Sequence, residues 1–354
     1  MATRTITENV NQAVQDFDNI KQAIIDKGIE IPNGTPTSEY ADKIGTIKSN
    51  GLDTSTVTDF SYFAQKDRFT EEQLQNINTK IGTDFSYMFY YCSSLTTVPK
   101  LNTSNGTKFD YMFSSCKKLQ NFPDIDFSNG TSFKETFSRC TLLTSVELNS
   151  PNGTNFYDAF YDCSNLVSAK IDTSSATNLS SVFQGCKKLK NVEFTDTSKV
   201  TDFSQLFFSS GIETAPQLDT SNCKSFTGMF RMCSELKGSV KLDTSIGNSF
   251  SYMFQNCSNL TTLELTSFIS SQYMLDYCSS LENLTVTGTI TVNNNYLKLS
   301  YSPKLTVDSL MSVINALSDN TGKTTYTVTL GATNLAKLTD EQKQIAIDKN
   351  YTLA

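Results

Sequence analysis

The stretch Phe85-Ser-Tyr-Met-Phe-Tyr-Tyr-Cys-Ser-Ser-Leu-Thr-Thr-Val-Pro-Lys-Leu-Asn-Thr-Ser104 sets a pattern that most of the chain repeats. Its template is Phe-x3-Phe-x2-Cys-x2-Leu-x2-Val-(x1–2)-Leu-Asp/Asn-Thr-Ser, and it returns about every 23 or 24 residues through Leu281. Positions within a repeat are counted from the first Phe, which is position i. A fixed period of this length is typical of a solenoid, in which each unit buries its apolar side against its neighbours.

The apolar positions predict a short helix and a short strand in every repeat. Phe at i, Phe at i+4 and Cys at i+7 fall on one face of a helix about two turns long. The alternation in Leu143-Thr-Ser-Val-Glu-Leu148 predicts a strand whose charged residue points outward. Asp/Asn-Thr-Ser predicts a turn in which side chains bind nearby backbone N–H groups. The predicted fold class is therefore an α/β repeat solenoid.

The Met-Phe-x2-Cys-x2-Leu core and its Asp-Thr-Ser turn resemble the BspA-like branch of leucine-rich repeats, over about residues 53–300. That branch occurs in bacterial surface proteins and in mycoplasma lipoproteins. The resemblance implies leucine-rich repeats of short strand, turn and short helix. It also implies a scaffold that acts by binding.

Composition disfavours several classes of function. The net charge of −7 and the pI of about 4.8 disfavour nucleic acid and anionic membranes as partners. Histidine is absent, which excludes Ser-His-Asp and Cys-His catalysis. A glycosidase could use two carboxylates alone, but the sequence singles out no such pair. We expect no enzymatic activity, no cofactor and no metal site.

The nine cysteines have two possible explanations. Metal or disulfide chemistry is one, but the spacings match no zinc motif and no Cys-x2-Cys occurs. The other is a column of buried, reduced side chains. Eight cysteines occupy position i+7, on the same inward helix face as the phenylalanines, and Ser210 fills the remaining i+7 position. We favour the buried column. Cys223 lies outside it, and we expect its thiol to be accessible.

The first 48 residues differ from the repeats. Apolar residues recur there with a 4-3-4-3-4 spacing, at Ile6, Val10, Ala13, Phe17, Ile20 and Ile24. This spacing predicts a helix with a narrow apolar stripe. The stripe either packs onto its own chain or mediates self-association or docking. Residues 18–44 resemble a segment of tail and baseplate proteins of bacteriophages that infect Gram-positive hosts. That resemblance implies attachment to other tail proteins. The N-terminus lacks the apolar region of a secretion signal, and no apolar run could span a membrane.

The C-terminal residues form a different block. The sequence predicts an amphipathic helix over Leu305–Leu317, a strand over Tyr326–Leu330 and a helix that opens with a capping box at Thr339–Gln342. Residues 305–354 resemble the block that closes many leucine-rich-repeat proteins of phages and prophages. The predicted organisation is an attachment or oligomerisation segment (1–48), a cap before the repeats (49–83), the repeats (84–302) and a C-terminal cap (303–354).

Two outward surfaces are candidates for recognition. Charged residues at the outward strand position, such as Glu147, Lys170, Lys241 and Glu264, predict cross-strand ion pairs that fix the register or contact a ligand. On a helix, position i+2 would point about 200° from the core and be exposed. Exposed aromatic residues suit protein and sugar partners, although scattered ones are also common. The candidate partner-binding residues are Tyr87, Tyr90, Tyr91, Tyr111, Tyr161, Phe208, Arg231, Tyr252, Tyr273 and Tyr277.

The resemblances of residues 18–44 and 305–354 imply a phage tail or baseplate protein, made in the host cytoplasm and carried in the virion. Together with the repeats, they lead us to expect recognition of the bacterial surface without covalent chemistry. Its partners would be tail proteins through residues 1–48 and a cell-surface glycan or protein through the repeats, with homo-oligomerisation possible. The alternatives are a purely structural tail component and a BspA-like surface adhesin.

Overall fold

The computed structural model describes residues 54–67, 74 and 77–354. The predicted segment 1–48 lies outside the described residues, as do parts of the predicted cap over residues 49–83.

Successive repeats stack in parallel along the described chain. The residue before position i forms a parallel bridge with its counterpart in the next repeat, in an unbroken series: Asp59, Asp84, Lys108, Ser132, Asn155, Asn178, Asp202, Ser225 and Ser249. Each repeat is thus hydrogen-bonded to the next at an equivalent position. The protein has a repeat-type fold, as its period predicts.

The predicted strands form two parallel three-stranded sheets. The first contains β1 (Ser145–Leu148), β2 (Ser168–Ile171) and β3 (Asn191–Phe194). The second contains β4 (Gly238–Leu242), β5 (Leu260–Leu265) and β7 (Asn283–Val286), while β6 (Phe268–Ile269) pairs with β8 (Ile290–Thr291).

The alternation of buried and exposed residues along the strands is confirmed, for example by Val146 and Leu148, which point inward. Two predicted cross-strand ion pairs form. Lys170 Nζ lies 3.1 Å from Glu147 Oε1, and Lys241 Nζ lies 2.6 Å from Glu264 Oε1.

Three repeats lack the predicted strand, which corrects the sequence-based assignment. In each of them, the first inward residue of the predicted strand is followed by one residue more than in the other repeats, and that residue is a proline. The three prolines are Pro99, Pro123 and Pro216. Proline has no N–H to donate to a ladder, and the additional residue shifts the register. The repeat that contains Pro216 separates the two three-stranded sheets.

The predicted two-turn helices are wrong. From Phe85 onward, backbone N–H groups alternate between two kinds of acceptor: the Phe85 and Tyr87 N–H groups donate to the next repeat, whereas the Met88 N–H donates to Phe85 O at 3.2 Å. Tyr87 and Tyr91, at i+2 and i+6, have φ of 59°, so the chain forms consecutive turns. The physical reason is spacing, because hydrogen-bonded rungs lie about 4.8 Å apart whereas packed helices need about 8–10 Å.

Two columns of stacked phenylalanines fill the interior. At position i, phenylalanines stack from Phe60 to Phe156 and again from Phe226 to Phe250, and Leu179 takes the place of one ring between these runs. Phe at i+4 stacks on Phe at i+4 of the next repeat from Phe89 to Phe254, and the centroids in both columns lie 5.2 to 5.9 Å apart. Phe85, Phe113 and Phe160 are fully buried. Such aromatic pairs stabilise by about 0.5–1.5 kcal/mol beyond their burial.

All nine cysteines are reduced and buried. Those of the column donate their S–H to the carbonyl of the i+4 residue one repeat earlier, as Cys140 Sγ does to Phe113 O at 3.2 Å. The expectation that Cys223 is accessible is wrong. Its side chain is fully buried, because the small-residue turn position faces the interior, and its Sγ donates to Ser225 O at 3.2 Å. Burial raises the pKa of the Cys223 thiol to about 12.

The Asp-Thr-Ser turns bind N–H groups as predicted and also join the repeats. Within one turn, the Ser198 N–H donates to Asp196 Oδ1 at 2.8 Å. Between turns, Thr197 Oγ1 donates to Asp219 O at 3.0 Å and accepts the Asp219 N–H at 2.8 Å. The buried Thr197 hydroxyl therefore makes two hydrogen bonds to the backbone of the next repeat, one as donor and one as acceptor.

The C-terminal residues form α1 (Val307–Ala316), β9 (Tyr326–Val328), α2 (Ala332–Leu335), α3 (Asp340–Asp348) and β10 (Tyr351–Leu353). The predicted capping box is confirmed, since the Gln342 N–H donates to Thr339 Oγ1 and Gln342 Oε1 accepts the Thr339 N–H. Helix α1 lies along β7, where its Ser309 and Ser312 hydroxyls accept the N–H groups of Leu284 and Val286 at 2.9 and 2.8 Å.

Candidate functional site

The consecutive turns create one outward surface, which we call the turn face: the side chains at i+1, i+2, i+5 and i+6 of every repeat. Left-handed φ values recur at i+2 and i+6, where non-glycine residues such as Tyr87, Tyr91 and Tyr252 adopt φ between 59° and 62°. This conformation places equivalent side chains directly above one another. All ten predicted residues lie on the turn face.

Tyrosines at the start of the described repeats form the N-terminal aromatic cluster: Tyr62, Tyr87, Tyr90, Tyr91 and Tyr111. Tyr87 is sandwiched between the rings of Tyr62 and Tyr111, with both centroid distances 4.5 Å. Tyr90 contacts Tyr87 and Tyr91 edge-on. Desolvation by this packing raises the pKa of the Tyr87 and Tyr111 phenols, so both are neutral hydrogen-bonding groups. Contrary to the helical prediction, Tyr87 and Tyr111 are half-buried rather than exposed.

The next two repeats add charged groups to this cluster. Lys134 Nζ lies over the rings of Tyr111 and Tyr157, at 5.4 and 5.6 Å from their centroids. Burial, with the nearby Glu135 carboxylate, raises the pKa of Asp158 to about 6. The predicted residue Tyr161 packs against the Arg139 guanidinium at 5.3 Å.

A second group, the C-terminal aromatic cluster, consists of Phe208, Arg231, Tyr252 and Tyr273. The Arg231 guanidinium lies over both the Phe208 ring and the Tyr252 ring, at 5.2 and 4.5 Å. Tyr252 stacks on Tyr273 at 5.2 Å, and Arg231 Nε donates to Gln255 Oε1 at 2.8 Å. All four members were predicted from the sequence.

The remaining predicted residue, Tyr277, packs against Tyr301 at 4.4 Å. The predictions missed Tyr62, Tyr157 and Tyr301. A strict application of the register would have found Tyr62 and Tyr301, because they stand at i+2 after Phe60 and Leu299. Tyr157, at i+1, would have required knowing that this position also faces outward.

The turn face carries groups suited to non-covalent recognition. It offers phenol hydroxyls, ring faces and edges, side-chain amides and two arginines, which are side chains enriched at binding surfaces. Among residues 54–67, 74 and 77–354, no three His, Cys, Asp or Glu side chains cluster closely enough to hold a metal ion. The helices in the same residues include none long and apolar enough to cross a membrane.

Comparisons with known proteins agree with the repeat pattern. The profile described as "BspA type Leucine rich repeat region (6 copies)" matches residues 226–320. A crystal structure of a leucine-rich repeat protein from Bacteroides ovatus aligns with 77% of this chain and 87% of its own at 16% identity, but its TM-score of 0.35 is too low to support any conclusion. No curated protein matches the chain.

A second profile, described as "Mycoplasma protein of unknown function, DUF285", matches residues 38–149 and 154–268, which together exceed half of the sequence. Both matched ranges contain the Phe-x3-Phe-x2-Cys turns whose side chains build the turn face. The chain is therefore a member of the DUF285 family and carries BspA-type leucine-rich repeats.

Proposed function

We propose that this protein is a receptor-binding component of a bacteriophage tail or baseplate, which recognises the host surface non-covalently through its turn face. The observation that carries the proposal is the alignment of aromatic side chains into two stacked clusters on one surface. Tyrosine rings held by their neighbours lose little conformational entropy on binding, and they offer both apolar area and a hydroxyl. BspA-type repeats support a role in non-covalent binding or adhesion.

The assignment to a phage tail rests on the sequence resemblances of residues 18–44 and 305–354. In this proposal, residues 1–48 attach the protein to other tail proteins or to further copies of itself. The repeats would form an elongated solenoid that projects its turn face outward. Several copies on one particle would multiply modest contacts into stable attachment. The receptor is a cell-surface glycan or protein, and the protein itself catalyses no reaction.

Binding of the fluorescently labelled full chain to whole Gram-positive host cells tests the proposal. The test variant combines Tyr91→Ser, Tyr273→Ser and Tyr277→Ser, which are exposed turn-face positions. The matched control combines Leu142→Ser, Val167→Ser and Ile246→Ser, which remove similarly exposed apolar groups outside the turn face. We expect the test variant to lose binding and the control to retain it.

Cells stripped of wall polysaccharide identify the class of receptor. Loss of binding after stripping indicates a glycan, and retained binding indicates a protein. If neither the monomeric nor a multimerised chain binds cells, the receptor-binding role is wrong and a structural tail component becomes the better explanation. Equal loss of binding in the test and control variants would move the binding surface away from the turn face.

A further inference from the structure

Arg231 is held in one orientation on the turn face. Its guanidinium lies between two aromatic rings, and its Nε is fixed by the Gln255 side-chain amide. A stacked guanidinium keeps its terminal N–H groups at the rim of the stack, where they can donate in parallel to one oxyanion. The contacts therefore orient the side chain without using its full hydrogen-bonding capacity.

The positive charge of Arg231 has no carboxylate partner. Its one hydrogen-bonding partner is a neutral amide, and within the described residues no Asp or Glu oxygen lies within 4.0 Å of the guanidinium. Some cations of the described surface do pair with carboxylates, such as Lys108 with Asp84 at 3.2 Å and Lys237 with Glu213 at 2.7 Å, whereas Arg231, like Lys134 and Arg139, packs against aromatic rings instead. Arg231 differs from the ring-stacked Lys134 and Arg139 in that a side-chain amide also fixes its guanidinium.

The surface beside Arg231 is open. Position i+2 of its repeat is Gly228, where neighbouring repeats carry Gln205 and Tyr252. A Cβ at Gly228 would lie 3.4 Å from Gln205 Cγ and 3.8 Å from Arg231 Cβ, so the absence of a side chain leaves a gap beside Arg231. Gln205 of the previous repeat and Tyr252 and Gln255 of the next repeat supply amide and phenol groups beside it, which form hydrogen bonds with hydroxyls.

We propose that Arg231 binds the acid group of an anionic glycan, and that the amides and tyrosines around it bind the adjoining sugar or polyol. The proposal rests on the proposed function, because it names the ligand class of the same surface. The acid is a carboxylate or a phosphodiester, since a guanidinium edge pairs with either in bidentate fashion. The overall negative charge disfavours long anionic chains by repulsion, so recognition depends on this one oriented contact.

The first probe pair is tri-galacturonate and its neutral methyl ester, and the second is a glycerol-phosphate oligomer and glycerol. Titration calorimetry with the full-length protein gives the preference for each acid over its neutral counterpart. We expect the wild type to prefer at least one acid by about tenfold or more, as charge-assisted hydrogen bonds do. The acid that is preferred identifies the group.

Three variants separate binding from a structural role of Arg231. Arg231→Gln should lower the preference to about one, whereas Arg231→Lys should keep part of it, because lysine retains the charge without the planar fork. Lys118→Gln, which removes the same charge at an exposed position outside the turn face, should leave the preference unchanged. A loss of fold, detected by circular dichroism, would affect acid and ester alike, whereas a specific contact changes their ratio.

Two outcomes overturn the inference. One is an equal preference in the wild type and in Arg231→Gln. The other is the absence of binding to both acids while the labelled protein still binds whole cells, which leaves the proposed function intact. Absence of binding to both acids and to cells contradicts the inference and the proposed function together.

Discussion

At the scale of single residues, the cysteine column shows how one small side chain serves the stack. Each thiol of the column fills a place beside the phenylalanines and donates its S–H to a carbonyl of the previous repeat, as Cys116 does to Phe89 O at 3.1 Å. Burial raises the pKa of the Cys116 thiol well above its usual range. A thiol that is neutral and inaccessible is chemically inert.

All nine thiols should therefore resist a thiol reagent such as DTNB at pH 8 until the protein unfolds. Cys223 should react no faster than the others, because it is fully buried. The variant Met232→Cys, at a position that is 46% exposed, provides the positive control and should react at once. Rapid modification of Cys223 in the folded protein would contradict its placement in the core.

Asp158 predicts a pH dependence that can be measured. Its folded pKa of about 6 lies above its ordinary value of 3.8, so the folded state binds more protons than the unfolded state between these values. The free energy of unfolding consequently falls as the pH rises through this window, and the loss persists above it. Asp158→Asn does not titrate, so its stability relative to the wild type should increase between pH 4 and pH 6.5.

Asp126 provides a comparison of opposite sign. Hydrogen bonds from Ser128 lower its pKa below 3.8, so its contribution to stability is present above that pH and is lost as the pH falls through the folded pKa. Asp126→Asn should therefore lose stability relative to the wild type as the pH rises from 3 to 5. Urea unfolding at each pH measures both variants, and parallel profiles would contradict the assigned pKa shifts.

At the scale of elements, most strands and the Asp-Thr-Ser turns were predictable, whereas the consecutive turns between positions i and i+7 were not. Strand alternation follows directly from residues such as Val146-Glu147-Leu148. Apolar residues at i, i+4 and i+7 fit a helix as well as they fit consecutive turns that share one inward side. The distinguishing information is the left-handed backbone at i+2 and i+6. Glycine would have indicated a left-handed backbone, but those positions carry residues such as Tyr, Glu, Ser or Arg and rarely glycine, so the sequence does not indicate this conformation.

The interruption between the two sheets should be removable. Deleting Pro216 leaves Ile212-Glu-Thr-Ala-Gln-Leu, which has the spacing of Leu166-Val-Ser-Ala-Lys-Ile171, the segment that contains β2. The shortened repeat should pair with β3 and β4 and raise the free energy of unfolding by about 1–3 kcal/mol through its new hydrogen bonds. Slower amide exchange over residues 213–218 and a higher midpoint in urea would show this.

Pro216→Ala is the matched control for the deletion. It restores an N–H but keeps the additional residue, so the register remains shifted and the sheets should stay separate. If both variants joined the sheets equally, the missing N–H alone would explain the interruption. If the deletion weakened the protein without protecting residues 213–218, the additional residue would have a different structural role.

At the scale of the whole molecule, the repeat period predicted the parallel stacking and most of the candidate surface. It did not predict which residues would touch on that surface. The contact between Arg231 and Tyr252 depends on how a side chain at i+5 leans towards i+2 of the next repeat. Likewise, the contact between Tyr277 and Tyr301 joins two positions that the helical prediction treats as unrelated. Such contacts follow from the backbone path, which hydrophobic spacing alone does not determine.

A stack of rungs must also end without leaving an open edge that another chain could pair with. The last strand of the second sheet, β7, meets serine hydroxyls of α1 where another strand would otherwise lie. Ser309 Oγ accepts the Leu284 N–H and donates to Glu282 O at 2.9 Å, so one hydroxyl replaces both groups of a missing neighbour. Ser312 Oγ accepts the Val286 N–H at 2.8 Å.

The double variant Ser309→Ala/Ser312→Ala should therefore destabilise the protein by about 2–5 kcal/mol, because two N–H groups lose their partners and burying an unpaired one costs about 1–3 kcal/mol. Asn315→Ala, at an exposed position of the same helix, should have little effect. Urea denaturation measures the stability, and sedimentation at several concentrations measures self-association through the freed edge. Equal stability of the double variant and Asn315→Ala would mean that α1 holds β7 by apolar packing alone. If the double variant instead has a lower free energy of unfolding and self-associates, the two serine hydroxyls are what prevents a further strand from pairing with β7.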